Sequence, residues 1–205
     1  MLGLFVAALV AVASAGVVHD GGCPEIKPVE NFNVTAYQGT WYEISKFETP
    51  AEKGGKCGKA EYTVDGEIVK VKNSHIVNGV LSSIEGTAKF ADDAKGSAKL
   101  LVTLNFGAVS QEQPLSVIAT DYTNYAIAYN CKYDDKKKSH QDLVWVLSRS
   151  KTLEGDAKAA VDAFFKEKSK EIDASKLVPS DFSEEACKYE STSTITEPNS
   201  PVKKQ

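Results

Sequence analysis

At 205 residues, with 42% hydrophobic residues and a formal charge of −4, the chain has the length of one domain and enough apolar side chains for a sizeable core. A mildly acidic, mixed-sign composition excludes nucleic acid as the main partner, because phosphate binding demands a concentrated basic face. The one basic cluster, Lys136-Lys137-Lys138, stands beside Asp134 and Asp135 and reads as a solvated hairpin tip.

Residues 1–15 read as a secretory signal peptide. Leu2 to Val12 is apolar but too short to span a bilayer, and Ala13-Ser14-Ala15 supplies the small-x-small pattern of a cleavage site. The alternative is an apolar N-terminal helix kept in the fold. No other stretch approaches the ~18 apolar residues of a span, so the mature chain is expected to be soluble and secreted. A domain over residues 16–189 follows, opening with an irregular lead-in that holds Cys23-Pro24, Pro28 and the sequon Asn33-Val34-Thr35, which makes Asn33 a glycosylation candidate.

From there the chain alternates apolar and polar residues in short segments. Strands are expected over 39–47, 58–64, 67–77, 80–90, 97–106, 113–120, 125–133 and 141–150, with Asp65-Gly66 and Asn78-Gly79 as tight-turn signals. An antiparallel meander of this length closes on itself, because closure removes exposed edges; the fold expected is an all-β, eight-stranded up-and-down barrel. The period then changes to that of a helix over 153–168. Leu153, Ala157, Ala160, Val161 and Phe164 form the stripe that packs on the outside of the sheet, and Thr152 is the expected N-cap. Residues 190–205 are rich in Ser, Thr and Pro and read as a disordered polar tail.

Cys23, Cys57, Cys131 and Cys187 are an even set behind a signal peptide and imply two disulfides. A metal site built on them would need close-spaced pairs, and the three histidines are far apart in sequence, so no metal site is expected. Three disulfide pairings are possible, and long loops closed this way contribute roughly 3–5 kcal/mol each on the chain-entropy model.

Strand parity assigns the interior. Val69, Val71, Asn73, His75 and Val77 share one face, with Lys70 and Lys72 on the other. Leu143, Trp145 and Leu147 share a face with Gln141; Ala126, Ala128, Asn130 and Lys132 form another, as do Leu100, Val102, Leu104 and Phe106. One end of the interior is apolar and bulky, and the other acquires Asn73, His75, Asn130, Lys132 and Gln141. An eight-stranded barrel is wide enough either to fill with side chains or to hold one small ligand, and small residues among scattered polar groups favour the ligand. The competing reading treats Asn73 and His75 as satisfied core or rim polars.

Gly39-Thr40-Trp41 opens the first strand, Thr120-Asp121-Tyr122 lies at the turn before the last strand pair, and Arg149 ends the last strand. Together, in this order, they resemble the three short signatures of the lipocalins. A tryptophan plugs the closed end, and an arginine stacks on its indole while bonding nearby carbonyls. Cys23-Pro24-Glu25, Lys56-Cys57-Gly58, Asn130-Cys131-Lys132-Tyr133-Asp134, the run from His140 to Arg149, and Asp181-Phe182-Ser183-Glu184 are similar to the insect bilin-binding protein and insecticyanin group.

The resemblance implies a non-covalently held biliverdin-type bilin, the gamma isomer among the options, in a blue protein of haemolymph or integument. It also implies the pairs Cys23–Cys131 and Cys57–Cys187, and a capacity for homo-oligomers. Pocket positions that agree with the group are Asn73, His75, Ile84, Leu104, Val109 and Gln141. Phe106, Asn130 and Leu143 occupy pocket positions where residue type varies, and Lys132 is placed to meet propionates at the mouth. Gly39, Trp41 and Arg149 are the barrel-closing set. The alternative within the binding class is a carrier of retinoid, sterol or fatty acid, since apolar pockets discriminate isosteric ligands by only ~1–3 kcal/mol per small group. A surface-recognition protein with an empty barrel is a further class. No G-x-S-x-G, H-E-x-x-H or phosphate-cradling loop is present, so no catalytic residues are assigned and an enzyme is not expected.

Overall fold

The computed structural model describes residues 17–49, 53–107 and 109–195. The segment read as a signal peptide lies outside the described residues, as do residues 196–205 of the polar tail. Eight antiparallel strands build the barrel: β2 (Gly39–Phe47), β3 (Lys56–Asp65), β4 (Ile68–Val77), β5 (Val80–Phe90), β6 (Lys99–Phe106), β7 (Val109–Thr120), β8 (Tyr125–Asp134) and β9 (Ser139–Ser148). Each pairs with its sequence neighbour, and β9 returns to β2 with Tyr42 opposite Ser148 and Lys46 opposite Trp145, which closes the barrel. The expected meander is therefore the fold observed. Strand β7, the sixth of the barrel, starts at Val109, four residues before its expected start, because the β6–β7 ladder continues to the pair Phe106 and Val109.

Both chain ends add strands that composition did not announce. β1 (Val17–Asp20) pairs with the mouth half of β9, and β11 (Ser191–Ile195) runs parallel to the mouth half of β5. The cause is the same at both places. β2 contacts β9 only over Trp145 to Ser148, and β6 contacts β5 only from Gly86 onward, so each seam opens toward the mouth and leaves a strand edge unpaired. Unpaired edges are costly, and a terminal segment takes each one. The part of the polar tail over residues 191–195 is thus a strand and not disordered, with Ser83 and Thr194 hydroxyls 3.2 Å apart across the ladder. A short β10 (Leu177–Pro179) pairs with β2.

Two apolar cores result. The inner one fills the closed half of the barrel around Trp41, Tyr37, Tyr62, Val102, Val117 and Leu147. The outer one lies between the wall and helix α2 (Gly155–Glu167), where Val161 and Phe165 meet Ile118, Ile127, Val144 and Val146. The helix packs where expected, with Val161 buried as the stripe requires, but its aromatic anchor is Phe165 and Phe164 sits at the edge. Its N-cap is Glu154, without a side-chain capping bond; the Thr152 carbonyl instead accepts from Ser148 and Ser150. The disulfides are Cys23–Cys131 and Cys57–Cys187, which tie the lead-in and the C-terminal segment to the wall across sequence separations of 108 and 130 residues.

Candidate functional site

The closed end is fixed by a single arginine. Helix α1 (Val34–Tyr37) crosses the barrel floor, capped by Asn33 Oδ1, which accepts from the Ala36 amide at 3.0 Å. Trp41 is fully buried above it and donates from Nε1 to the Tyr37 carbonyl at 2.8 Å. Arg149 Cζ stands 3.7 Å from the centroid of the Trp41 ring. Its nitrogens donate to the carbonyls of Tyr122, Thr40, Ala36 and Tyr37 at 3.0 to 3.2 Å, joining three separate segments. Gly39 has φ +97°, and a Cβ there would lie 3.2 Å from Arg149 Nη1, so the glycine serves both backbone and clamp. Burial pulls the Arg149 guanidinium below its usual value, against the opposing influence of Tyr37 and Asp121.

The turn that presents the Tyr122 carbonyl is built locally. Asp121 Oδ1 accepts from the amides of Thr123, Asn124 and Tyr125, and Oδ2 from the Asn124 amide group. Partial burial works to raise the Asp121 carboxyl, yet these hydrogen bonds outweigh it and hold it below the usual carboxylate range.

Above the floor lies a cavity of about 110 Å³; its atom-free space, counting the funnel open to solvent, is about 630 Å³. The wall is mainly apolar, with Val71, Val102, Leu104, Leu115, Trp145 and Leu147, interrupted by Asn73, Gln113 and Glu43. Asn73 and Leu104 line the enclosed part directly. Farther toward the mouth, Asn130 is buried on the inward row of β8, and His75, Ile84, Phe106, Gln141 and Leu143 stand half-buried on theirs. Lys132 is exposed at the rim, and Val109 is 53% exposed, so neither reaches the enclosed volume. The side-chain oxygens Asn73 Oδ1 and Asn130 Oδ1 are buried and have no hydrogen-bond partner.

Sequence reasoning missed the charged pair inside this wall. Lys46 Nζ donates to Glu43 Oε2 at 2.8 Å, both side chains nearly buried. Parity places Glu43 inward beside Trp41, but it places Lys46 outward; the register break between Glu43 and Ser45 turns Lys46 in. Gly58 makes room for the carboxylate, since a Cβ there would meet Glu43 Oε2 at 2.7 Å. Burial, reinforced by the charge of Glu43, raises the Tyr62 hydroxyl well above its ordinary range. Gln113 and Tyr62 were legible by parity from Leu115 and Ala60 but stood outside the expected pocket.

A model of the "Lipocalin / cytosolic fatty-acid binding protein family" matches residues 38–184. The chain is 53% identical over 185 residues to bilin-binding protein of Pieris brassicae, covering 90% of this chain and 97% of that protein. It is 45% identical over 199 residues to insecticyanin-B of Manduca sexta, covering 96% and 97%. Among solved structures, insecticyanin of the tobacco hornworm Manduca sexta superposes with a TM-score of 0.85 at 44% identity, covering 89% of this chain and 98% of that one.

Proposed function

The chain belongs to the lipocalin / cytosolic fatty-acid binding protein family, and from that premise we propose that it binds a bilin of the biliverdin type, non-covalently, in the barrel. The observation that carries this reading is the pair of buried, unpartnered acceptors, Asn73 Oδ1 and Asn130 Oδ1, in a mainly apolar barrel interior. Unpaired buried polar atoms cost free energy, and a ligand that brings N–H donors together with flat apolar faces removes that cost. Pyrrole and lactam N–H groups on a conjugated tetrapyrrole have that character. The similarity to bilin-binding protein and the insecticyanins supports the same ligand.

Asn73, His75, Asn130 and Gln141 would meet the polar edge of the tetrapyrrole. Ile84, Leu104, Phe106 and Leu143 would cover its faces, while Lys132 would meet the propionates at the rim beside Val109. All four cysteines are consumed in disulfides, so the chain offers no thiol for a covalent attachment. The bound bilin supplies red-light absorption, hence a blue protein. The role is carriage and coloration without turnover, in an oxidising extracellular compartment consistent with the two disulfides. Asn33 is exposed and its sequon open to glycosylation, and self-association is compatible with this role.

A slimmer apolar ligand such as a retinoid, sterol or fatty acid is the second reading, favoured by the modest enclosed volume of about 110 Å³. Absorption spectroscopy separates the two. Mixing pigment-free protein with biliverdin should produce a protein-bound red band and induced circular dichroism, and Asn73→Leu should weaken binding. A spectrum identical to free biliverdin would refute the bilin reading.

A further inference from the structure

We propose a second binding site, on the outer wall of the barrel, for a single divalent transition-metal ion held by His19, His140 and Asp142. No metal site is expected from the widely spaced cysteines, and the histidines are just as distant in sequence, but the pairing of β1 with β9 removes that distance for two of them. It sets His19 directly opposite His140, with the two rings stacked at 5.2 Å. Asp142 lies two residues along β9 from His140, on the same outward face.

Both imidazoles face the Asp142 carboxylate. Asp142 Oδ2 is 3.6 Å from His140 Nε2 and 3.7 Å from His19 Nε2. These separations are long for hydrogen bonds, and neither Asp142 Oδ2 nor His19 Nε2 has a hydrogen-bond partner although both atoms are buried. Two donors each about 2.1 Å from a zinc ion stand roughly 3.4 to 3.6 Å apart for angles between tetrahedral and ~120°, so each imidazole–carboxylate spacing is close to that of two atoms sharing a cation, and a small closing of the two stacked rings completes the set.

The surroundings orient the ligands. His140 Nδ1 lies 3.0 Å from the Gly21 carbonyl, which only accepts, so Nδ1 carries the proton and Nε2 presents its lone pair to Asp142. Asp142 is fully buried, and its Oδ1 accepts from the Tyr129 hydroxyl at 2.6 Å, leaving Oδ2 for the ion. An imidazole donating its other N–H to a carbonyl, and a carboxylate held by a second hydrogen bond, are the supports that metal ligands need. Cys131 also contributes a sulfur near His140 and Asp142, but that sulfur is bonded to Cys23 and is no thiolate ligand. Two imidazoles and one carboxylate suit zinc or a neighbouring first-row ion and not calcium or magnesium, which take oxygen. The His19 side chain is 38% exposed and gives the ion its path in. Bound there, the ion pins β1 to β9 at the edge of the mouth.

The test is a zinc titration of the pigment-free, disulfide-intact full chain against a chromophoric chelator. One Zn²⁺ per chain is expected, with affinity weakened at least about tenfold in His19→Ala and in His140→Gln. His19→Ala changes a partly exposed side chain and folds even if substitutions at Asp142 do not. Cobalt substitution should give a visible d–d spectrum that is lost in the same variants. Absence of stoichiometric binding would overturn the proposal. So would binding unaffected by His19→Ala, or binding abolished by His75→Gln alone, which would place the ion inside the barrel.

Discussion

Removing the charge of Lys46 should destabilise the barrel far more than removing the pair of charges. Lys46 Nζ and Glu43 Oε2 are 2.8 Å apart, with side chains 8% and 10% exposed. Coulomb attraction at that distance is about 6 kcal/mol at an effective dielectric of about 20, most of which offsets the desolvation of the two ions. Lys46→Met leaves the carboxylate buried without this cation and should cost about 3–5 kcal/mol. For a domain of this size that lowers Tm by roughly 12 °C. Glu43→Leu combined with Lys46→Met removes both charges at similar volume, and should return stability to within about 1 kcal/mol of the parent. Urea unfolding of the pigment-free, disulfide-intact protein, followed by tryptophan fluorescence, measures all four corners of the cycle. A Lys46→Met cost below about 1 kcal/mol, or a double variant as unstable as the single, would refute the reasoning.

Gly58→Ala should destabilise by about 1–3 kcal/mol, because its Cβ displaces the Glu43 carboxylate from 2.7 Å; equal stability in a thermal melt would show that the carboxylate has room to move. Arg149→Met removes the stack on Trp41 and the donors to four carbonyls, and should cost about 2–4 kcal/mol by urea unfolding; a cost under 1 would mean the clamp is redundant. Burial holds the hydroxyls of Tyr37 and Tyr62 well above the ordinary tyrosine range. Their contribution to stability is therefore complete below the unfolded value near ~10 and is lost as pH rises above it. Tyr129 joins them, raised by burial and by its hydrogen bond to Asp142. Three of the eight tyrosines should therefore ionise, by absorbance at the phenolate band, only as the protein unfolds; all eight titrating in the folded state would contradict this.

The barrel was legible because its strands alternate cleanly and its turns are marked. Asn78 and Gly79 both adopt positive φ, as the hairpin signal requires, and β2 and β5 have the expected bounds. The inward rows through Asn73, Leu104, Asn130 and Leu143 followed from period two. What parity could not see were the register breaks: the one after Glu43 turned Lys46 inward and hid a buried ion pair. Nor does composition reveal a free edge. Val17–Asp20 and Ser191–Ile195 are strands because β9 and β5 offer unpaired backbone, not because their own side chains demand it. That long-range pairing is also what brings His19 to His140.

A bilin taken up by the barrel cavity, and not by the surface, is reported directly by the two tryptophans. Trp145 lines the cavity, whereas Trp41 is sealed under Arg149 at the floor. Titration of the pigment-free protein with biliverdin should quench tryptophan emission to a one-to-one end point, in step with growth of the red band. Trp145→Phe should lose most of that quenching while still binding pigment. Quenching without saturation, or a red band that grows with no loss of Trp145 emission, would place the pigment outside the barrel and contradict the account.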